Sequence, residues 1–215
     1  VKLSATILKT SVTQKSKTTR LMKQLKVTTG ATDAYGTRPT DRDVSLGRAD
    51  AFKMVAVYDS QNTSTDAVAP TLTIGTITGS FTRGEIITGG TSGAKGRVIT
   101  TASPLQYVST NPKAFTSSEV ITGASSGATA TTSSTTSGDT TITSRYVFDT
   151  GQRDNFYDIS RITRKKGSSA PTGRLLIIYD YLEHGAGNIF TVDSYTDIAG
   201  RMEYDDIPMF NGSKI

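Results

Sequence analysis

The chain has 215 residues, 35% hydrophobic and 7% aromatic, with no Trp and no Cys. That is thin for one large compact core, and it excludes a disulfide framework and any thiolate metal site. The net charge of +5 sits at the N-terminal end: residues 1–30 carry seven Lys or Arg and no acid, whereas 144–215 set nine bases against ten acids.

A basic arm suggests nucleic acid. No aromatic residue interleaves with Lys15, Lys17, Arg20, Lys23 and Lys26, as stacking on bases requires, so a partner-facing or solvated strand is the preferred reading. No apolar run is long enough to span a membrane as a helix. The chain begins at Val1 and ends in mid-pattern at Ile215, so it reads as a piece of a longer polypeptide.

Val1–Leu8 alternates apolar and polar residues and predicts a strand. Thr10 to Thr19 is polar. Arg20 to Val27 is ambiguous, because Leu21, Met22 and Leu25 have helical spacing but the β-favouring Val27-Thr-Thr follows. Gly30 to Asp43 is rich in turn residues. Ala51-Phe-Lys-Met-Val-Ala-Val-Tyr58 predicts a strand with one face firmly buried. Its nearest plausible partners, at Val1–Leu8 and Arg145–Asp149, lie far away in sequence. Residues 60–143 therefore read as an insertion between two halves of one sheet.

The insertion contains a repeat. Phe81-Thr-Arg-Gly-Glu-Ile-Ile-Thr-Gly-Gly-Thr-Ser-Gly-Ala94 recurs 34 residues later as Phe115-Thr-Ser-Ser-Glu-Val-Ile-Thr-Gly-Ala-Ser-Ser-Gly-Ala128. Each copy predicts a short strand, a Gly-Ser turn and a return strand, with glycine supplying positive φ. Two copies are too few for a solenoid, so a small barrel-like or sandwich unit is expected over 70–135. Thr129 to Ser144 is almost entirely Thr, Ser and Gly and reads as a linker.

Strand character resumes at Arg145–Asp149, followed by the turn-rich Gly151-Gln-Arg-Asp-Asn-Phe-Tyr-Asp158. Ile159–Arg164 predicts a strand. Arg174–Tyr181 is the most apolar run and predicts the central strand of an antiparallel meander, with Ile189–Tyr195 returning. The expected architecture is mainly β: a discontinuous platform of 1–60 with 145–215, an inserted hairpin module at 70–135, and an extended shape.

The candidate chemistry is sparse. A lone histidine, His184, excludes His-based triads and multi-His metal sites, and beside Gly185 it reads as a surface turn residue. Gly90-Thr-Ser-Gly-Ala-Lys95 lacks the spacing of a phosphate loop. Glu203, Asp205 and Asp206 could bind Ca²⁺ or form a glycosidase pair, but a solvated or Arg-paired cluster is preferred. In the 151–158 stretch, Arg153, Asp154, Asn155, Phe156, Tyr157 and Asp158 admit three readings. Arg153 and the acids can lock a corner through bidentate pairs; the aromatics can plug the sheet or meet a neighbouring subunit; or Asp154, Asn155 and Asp158 can ligate a cation. The corner is preferred. No catalytic residue and no cofactor or metal is expected.

Three stretches carry a resemblance: Val44-Ser-Leu-Gly-Arg-Ala-Asp-Ala-Phe-Lys53, Arg145-Tyr-Val-Phe-Asp-Thr-Gly-Gln-Arg-Asp-Asn-Phe-Tyr-Asp158 and Pro171-Thr-Gly-Arg-Leu-Leu-Ile-Ile-Tyr-Asp-Tyr181. In this order, around an inserted β module, they resemble tail or baseplate/fibre-associated virion structural proteins of contractile-tailed, marine-type bacteriophages. The resemblance covers roughly residues 43–210 and includes no catalytic motif. It implies a non-enzymatic virion component, assembled in the bacterial cytoplasm, whose partners are other virion proteins in a homo- or hetero-oligomer. The alternative is a carbohydrate-binding adhesin that meets a host surface glycan, with Tyr179, Tyr181 and Tyr195 stacking on sugars. A third reading is a hydrolase fragment built on Asp205 or Asp206.

Overall fold

The computed structural model describes residues 6, 8, 10–29, 34–153, 156–191 and 193–195. Within them the chain is mainly β and its sheets are antiparallel. The strands are β1 (Lys17–Val27), β2 (Asp43–Ala49), β3 (Ala51–Asp59), β4 (Thr71–Ile74), β5 (Ile86–Gly89), β6 (Lys95–Val98) and β7 (Leu105–Ser109). They continue with β8 (Val120–Gly123), β9 (Thr129–Thr136), β10 (Thr140–Thr141), β11 (Tyr146–Asp149), β12 (Ile159–Arg164) and β13 (Leu175–His184).

β13 is the hub. It lies between β1 and β3 in a four-stranded sheet of order β1-β13-β3-β10, with Leu176 opposite Tyr58. The run near Phe52 and the run near Leu176 thus share one sheet although the barrel strands separate them in the chain. β13 is apolar on both faces because both are covered. Leu175, Ile177 and Tyr179 join Val44, Leu46 and Ile162 of a second sheet, β11-β12-β2. Leu176 and Ile178 instead meet Ile99 and Val108 of the inserted module. Alternation along one strand therefore feeds two cores.

β1 is a strand, which resolves the ambiguous 20–27 run. A register shift between Arg20 and Lys23 places Met22 at φ 54. The bulge breaks the two-residue alternation and produces the apparent helical spacing of Leu21, Met22 and Leu25. Two other expectations are corrected. Ile189–Tyr195 is not a returning strand: Ile189 makes an isolated parallel bridge to Gln14, and 193–195 form a helical turn. The predicted strand at 1–8 lies outside the described residues apart from Thr6 and Leu8, as does the whole of 203–208.

β4 to β9 close a barrel in the order β4-β7-β6-β5-β8-β9. Residues 129–136, read from sequence as part of a linker, are its last strand, and the remainder of that stretch forms β10 and a 3-10 turn at Thr143–Arg145. A narrow barrel takes small side chains inside. Ala128 and Ala130 are buried there beside Leu72, Ile87, Leu105 and Ile121 from the other strands, so a Thr/Ser/Ala run suffices. The chain enters and leaves the barrel side by side, the Asp139 amide donating to the Val68 carbonyl at 2.9 Å.

The repeat generates a pseudo-two-fold axis. Equivalent residues lie 34 apart, and the two copies pair β5 with β8 so that Thr88 faces its own counterpart, Thr122. On the opposite wall, Thr71–Gln106 and Leu72–Leu105 exchange under the same operation. Neither half is self-contained, since both neighbours of β4 (β7 and β9) come from the second half.

Candidate functional site

The corner of residues 149–158 is built around Asp149. Its carboxylate accepts from Arg153 Nη1 and Nη2 at 3.0 and 2.9 Å, from Arg161 Nε at 3.1 Å and from the Gly151 amide at 3.0 Å. Arg153 also reaches Asp158 at 3.2 Å. Burial alone would raise the Asp149 pKa, but Arg153, the Gly151 amide and Arg161 outweigh it and hold the carboxyl below the usual range. Arg153 is thus bidentate to Asp149, a partner outside the predicted set. Asp154 and Asn155 lie outside the described residues. Among the described residues, no cluster of three His, Asp or Glu side chains is placed to hold a metal ion.

Gly151 makes the corner possible. Its φ is +78, and a Cβ there would lie 2.3 Å from the Asp158 carbonyl oxygen. Gly151→Ala is therefore expected to cost about 2–3 kcal/mol of unfolding free energy by urea titration; a loss under 1 kcal/mol would mean that the turn has another accessible form.

The corner aims its two aromatic residues in opposite directions. Phe156 is 59% exposed. Tyr157 turns inward, where its hydroxyl accepts a 2.8 Å hydrogen bond from Lys17 Nζ. Lys17 is fully buried and also donates to Tyr195 at 2.8 Å and pairs with Asp50 Oδ2 at 2.7 Å. The rings of Tyr157, Phe190 and Tyr195 surround the ammonium at 4.5–4.8 Å. Burial opposes the charge, but Asp50 and the two tyrosine hydroxyls outweigh it and keep the Lys17 pKa above the ordinary lysine value.

His184 is not a surface turn residue. It stands opposite Lys17 in the β1–β13 pairing, its Nε2 lies 2.7 Å from Asp50 Oδ2, and its ring packs edge-on against Tyr157 and Phe190. The misreading has a plain cause. Sequence placed His184 beside Gly185 but gave no sign that Asp50, at a left-handed φ of 58, would be turned inward to meet it.

Two further charged groups are consumed internally. Glu119 caps the 90–93 turn of the first repeat, accepting from Thr91 N, Ser92 N and Ser92 Oγ, while Glu85 does the same for Ser125 and Ser126 of the second. The amides of the stretch that superficially resembles a phosphate loop are therefore already occupied by a carboxylate. At the seam between barrel and sheet, Arg97 donates to Asp180 Oδ2 at 2.7 Å, and the Met22 amide donates to Oδ1 at 2.6 Å. Sequence reasoning singled out neither Arg97 nor Asp180. The one available signal was a carboxylate in the middle of the most apolar run.

Tyr179 and Tyr181 are buried, Tyr179 donating to the Leu46 carbonyl, and Tyr195 is engaged with Lys17. Tyr179 and Tyr181 are therefore closed to sugar stacking, which corrects two of the three residues assigned to the adhesin alternative, while Tyr195 is half-buried with its ring against the Lys17 ammonium. Asp205 and Asp206 lie outside the described residues. No helix among the described residues is long and apolar enough to cross a membrane. No family model matches the chain, and neither a curated protein nor a solved structure matches it.

Proposed function

We propose that the chain is a non-enzymatic structural component of a virion tail, baseplate or fibre, acting through contacts with neighbouring subunits. The observation that carries this reading is the outer face of the β11-β12-β2 sheet. Val147 (53% exposed) and Ile159 (52%) stand on it, with Phe156 at its corner. Between them lies the Asp149–Arg153–Arg161–Asp158 ion network, whose mutual pairs hold the backbone beneath the exposed aromatic in one geometry. Apolar anchors on a preorganised polar frame are the anatomy of a protein interface. Among the described residues, both outer strands of this three-stranded sheet, β11 and β2, also have no second strand neighbour within it, which presents edges of the kind that β-addition uses.

The test is association. In sedimentation equilibrium the chain is expected to show concentration-dependent self-association that Phe156→Asp with Ile159→Lys abolishes. Because both residues are already half in solvent, the melting temperature should stay within about 2 °C of the parent. A parent that is monomeric throughout, with the variant indistinguishable from it, would argue against this face as a self-contact.

A further inference from the structure

The Lys17–Asp50 pair differs from the other buried carboxylate systems of this chain. Glu85 and Glu119 each use both carboxylate oxygens in several hydrogen bonds. Among the described residues Asp50 uses only Oδ2, shared between Lys17 Nζ and His184 Nε2 at 2.7 Å each, while Oδ1 is buried with no hydrogen-bond partner among them. Both the Lys17 and the Asp50 side chain have no exposed surface. A full carboxylate with one orphaned oxygen in a dry, aromatic enclosure is an expensive group. An amide at the same place is not: the Oδ2 position is lost, no charge remains, and Oδ1 is a neutral carbonyl.

We propose that Lys17 and Asp50 condense, with loss of water, into an intramolecular isopeptide bond that joins β1 to the start of β3 across β13. The chemistry balances without any co-reactant. One proton of the Lys17 ammonium passes along the 2.7 Å contact to Asp50 Oδ2, giving a neutral amine and a neutral acid. The nitrogen lone pair attacks Cγ and the N–C bond forms. Nζ then releases a second proton, Oδ2 takes one up through His184 Nε2, and the C–Oδ2 bond breaks as water leaves. One nitrogen-bound hydrogen remains to donate to Tyr157 or Tyr195. No proton is gained or lost overall.

The ammonium–carboxylate form dominates before reaction, so the step is slow. It has to happen only once. Fixed contact between the amine and the carboxyl group raises the effective concentration enormously, and the absence of exposed surface on either side chain, under the rings of Tyr157, Phe190 and Tyr195, disfavours hydrolysis of the product. The product closes a covalent loop from 17 to 50, so that β1 can no longer be peeled from the sheet edge.

Mass spectrometry of the intact, denatured chain decides the matter. The expected mass is one water below that of the sequence, and digestion should yield a branched peptide joining the segment with Lys17 to the segment with Asp50, stable to hydroxylamine. Lys17→Met and Asp50→Ala should both run at their full sequence mass. His184→Gln should accumulate the lighter species at least tenfold more slowly after purification. A parent chain that keeps its full mass after weeks of incubation folded overturns the proposal. So does a water loss that maps elsewhere, or one that hydroxylamine opens to a hydroxamate, which marks an aspartyl succinimide. An unchanged rate in His184→Gln overturns the part given to His184.

Discussion

Replacing Glu119 by alanine is expected to lower the unfolding free energy by about 3–4 kcal/mol. The substitution removes an acceptor that holds Thr116 N at 2.6 Å, Ser92 N at 2.9 Å, Thr91 N at 3.2 Å and the Ser92 hydroxyl. Three amides are left without their partner, and it is this loss, more than the lost charge, that sets the magnitude. By the pseudo-symmetry, Glu85→Ala should have an effect of similar size. Surface pairs such as Lys26–Asp66, at 3.0 Å and largely in solvent, should contribute well under 1 kcal/mol.

The same carboxylates give the barrel its acid sensitivity. For both, burial pushes the pKa up, but the amide and hydroxyl donors outweigh it and hold each group below the usual glutamate range. A carboxyl with a depressed folded-state pKa contributes stability that is present above its unfolded value, about 4.3, and lost as pH falls through the folded value. Glu119→Gln should therefore be less stable at neutral pH and show a shallower loss on acidification. Urea titrations from pH 7 to 2 measure this; parallel pH profiles for parent and variant would show that Glu119 carries no such linkage.

Arg97→Met is expected to cost about 3–5 kcal/mol at pH 7, because it takes from the wholly buried Asp180 carboxylate the cation in direct contact with it, leaving only the weaker pull of Lys53. Here the pH dependence has the opposite sense. Burial raises the Asp180 pKa even in the intact chain, against the pull of Arg97 and the Met22 amide. A raised carboxyl favours folding while protonated, fully so below its unfolded value of about 3.9, and that contribution fades as pH climbs through the folded value. Removing Arg97 raises it further, so the gap between variant and parent should be widest at neutral pH and narrow toward pH 4. A constant gap would locate the damage in lost packing of the Arg97 stem instead. Since Arg97 also donates to the Gly84 carbonyl at 3.0 Å, a double cycle with Asp180→Asn separates the two.

Much of the architecture was legible because its signals are local. The two Gly-Ser turns announce their hairpins, and the apolar run at 174–181 announces a central strand. What escaped depends on distant partners. Nothing near Glu119 says that it serves the turn at 90–93 rather than the one at 124–127, since both copies carry the same turn chemistry. Met22 was unreadable because a bulge shifts the alternation, and 129–136 because small side chains fill a narrow barrel without looking apolar. The corner's Arg153 declared itself through neighbouring acids, yet its main partner, Asp149, belongs to the preceding strand. His184 ends β13 and Asp50 sits between β2 and β3, and only the folded sheet brings them together.

The exchange of strands across the barrel's axis has a consequence for how this region can change in length. Gene-level loss of a single 34-residue unit would not yield a smaller barrel, because β4 has no pairing partner within its own unit. It would leave three strands with open sides and a glutamate whose turn had vanished. Such a chain could complete itself only by borrowing the missing half from another molecule, so deletion of one copy would turn a self-closed module into an obligate dimer.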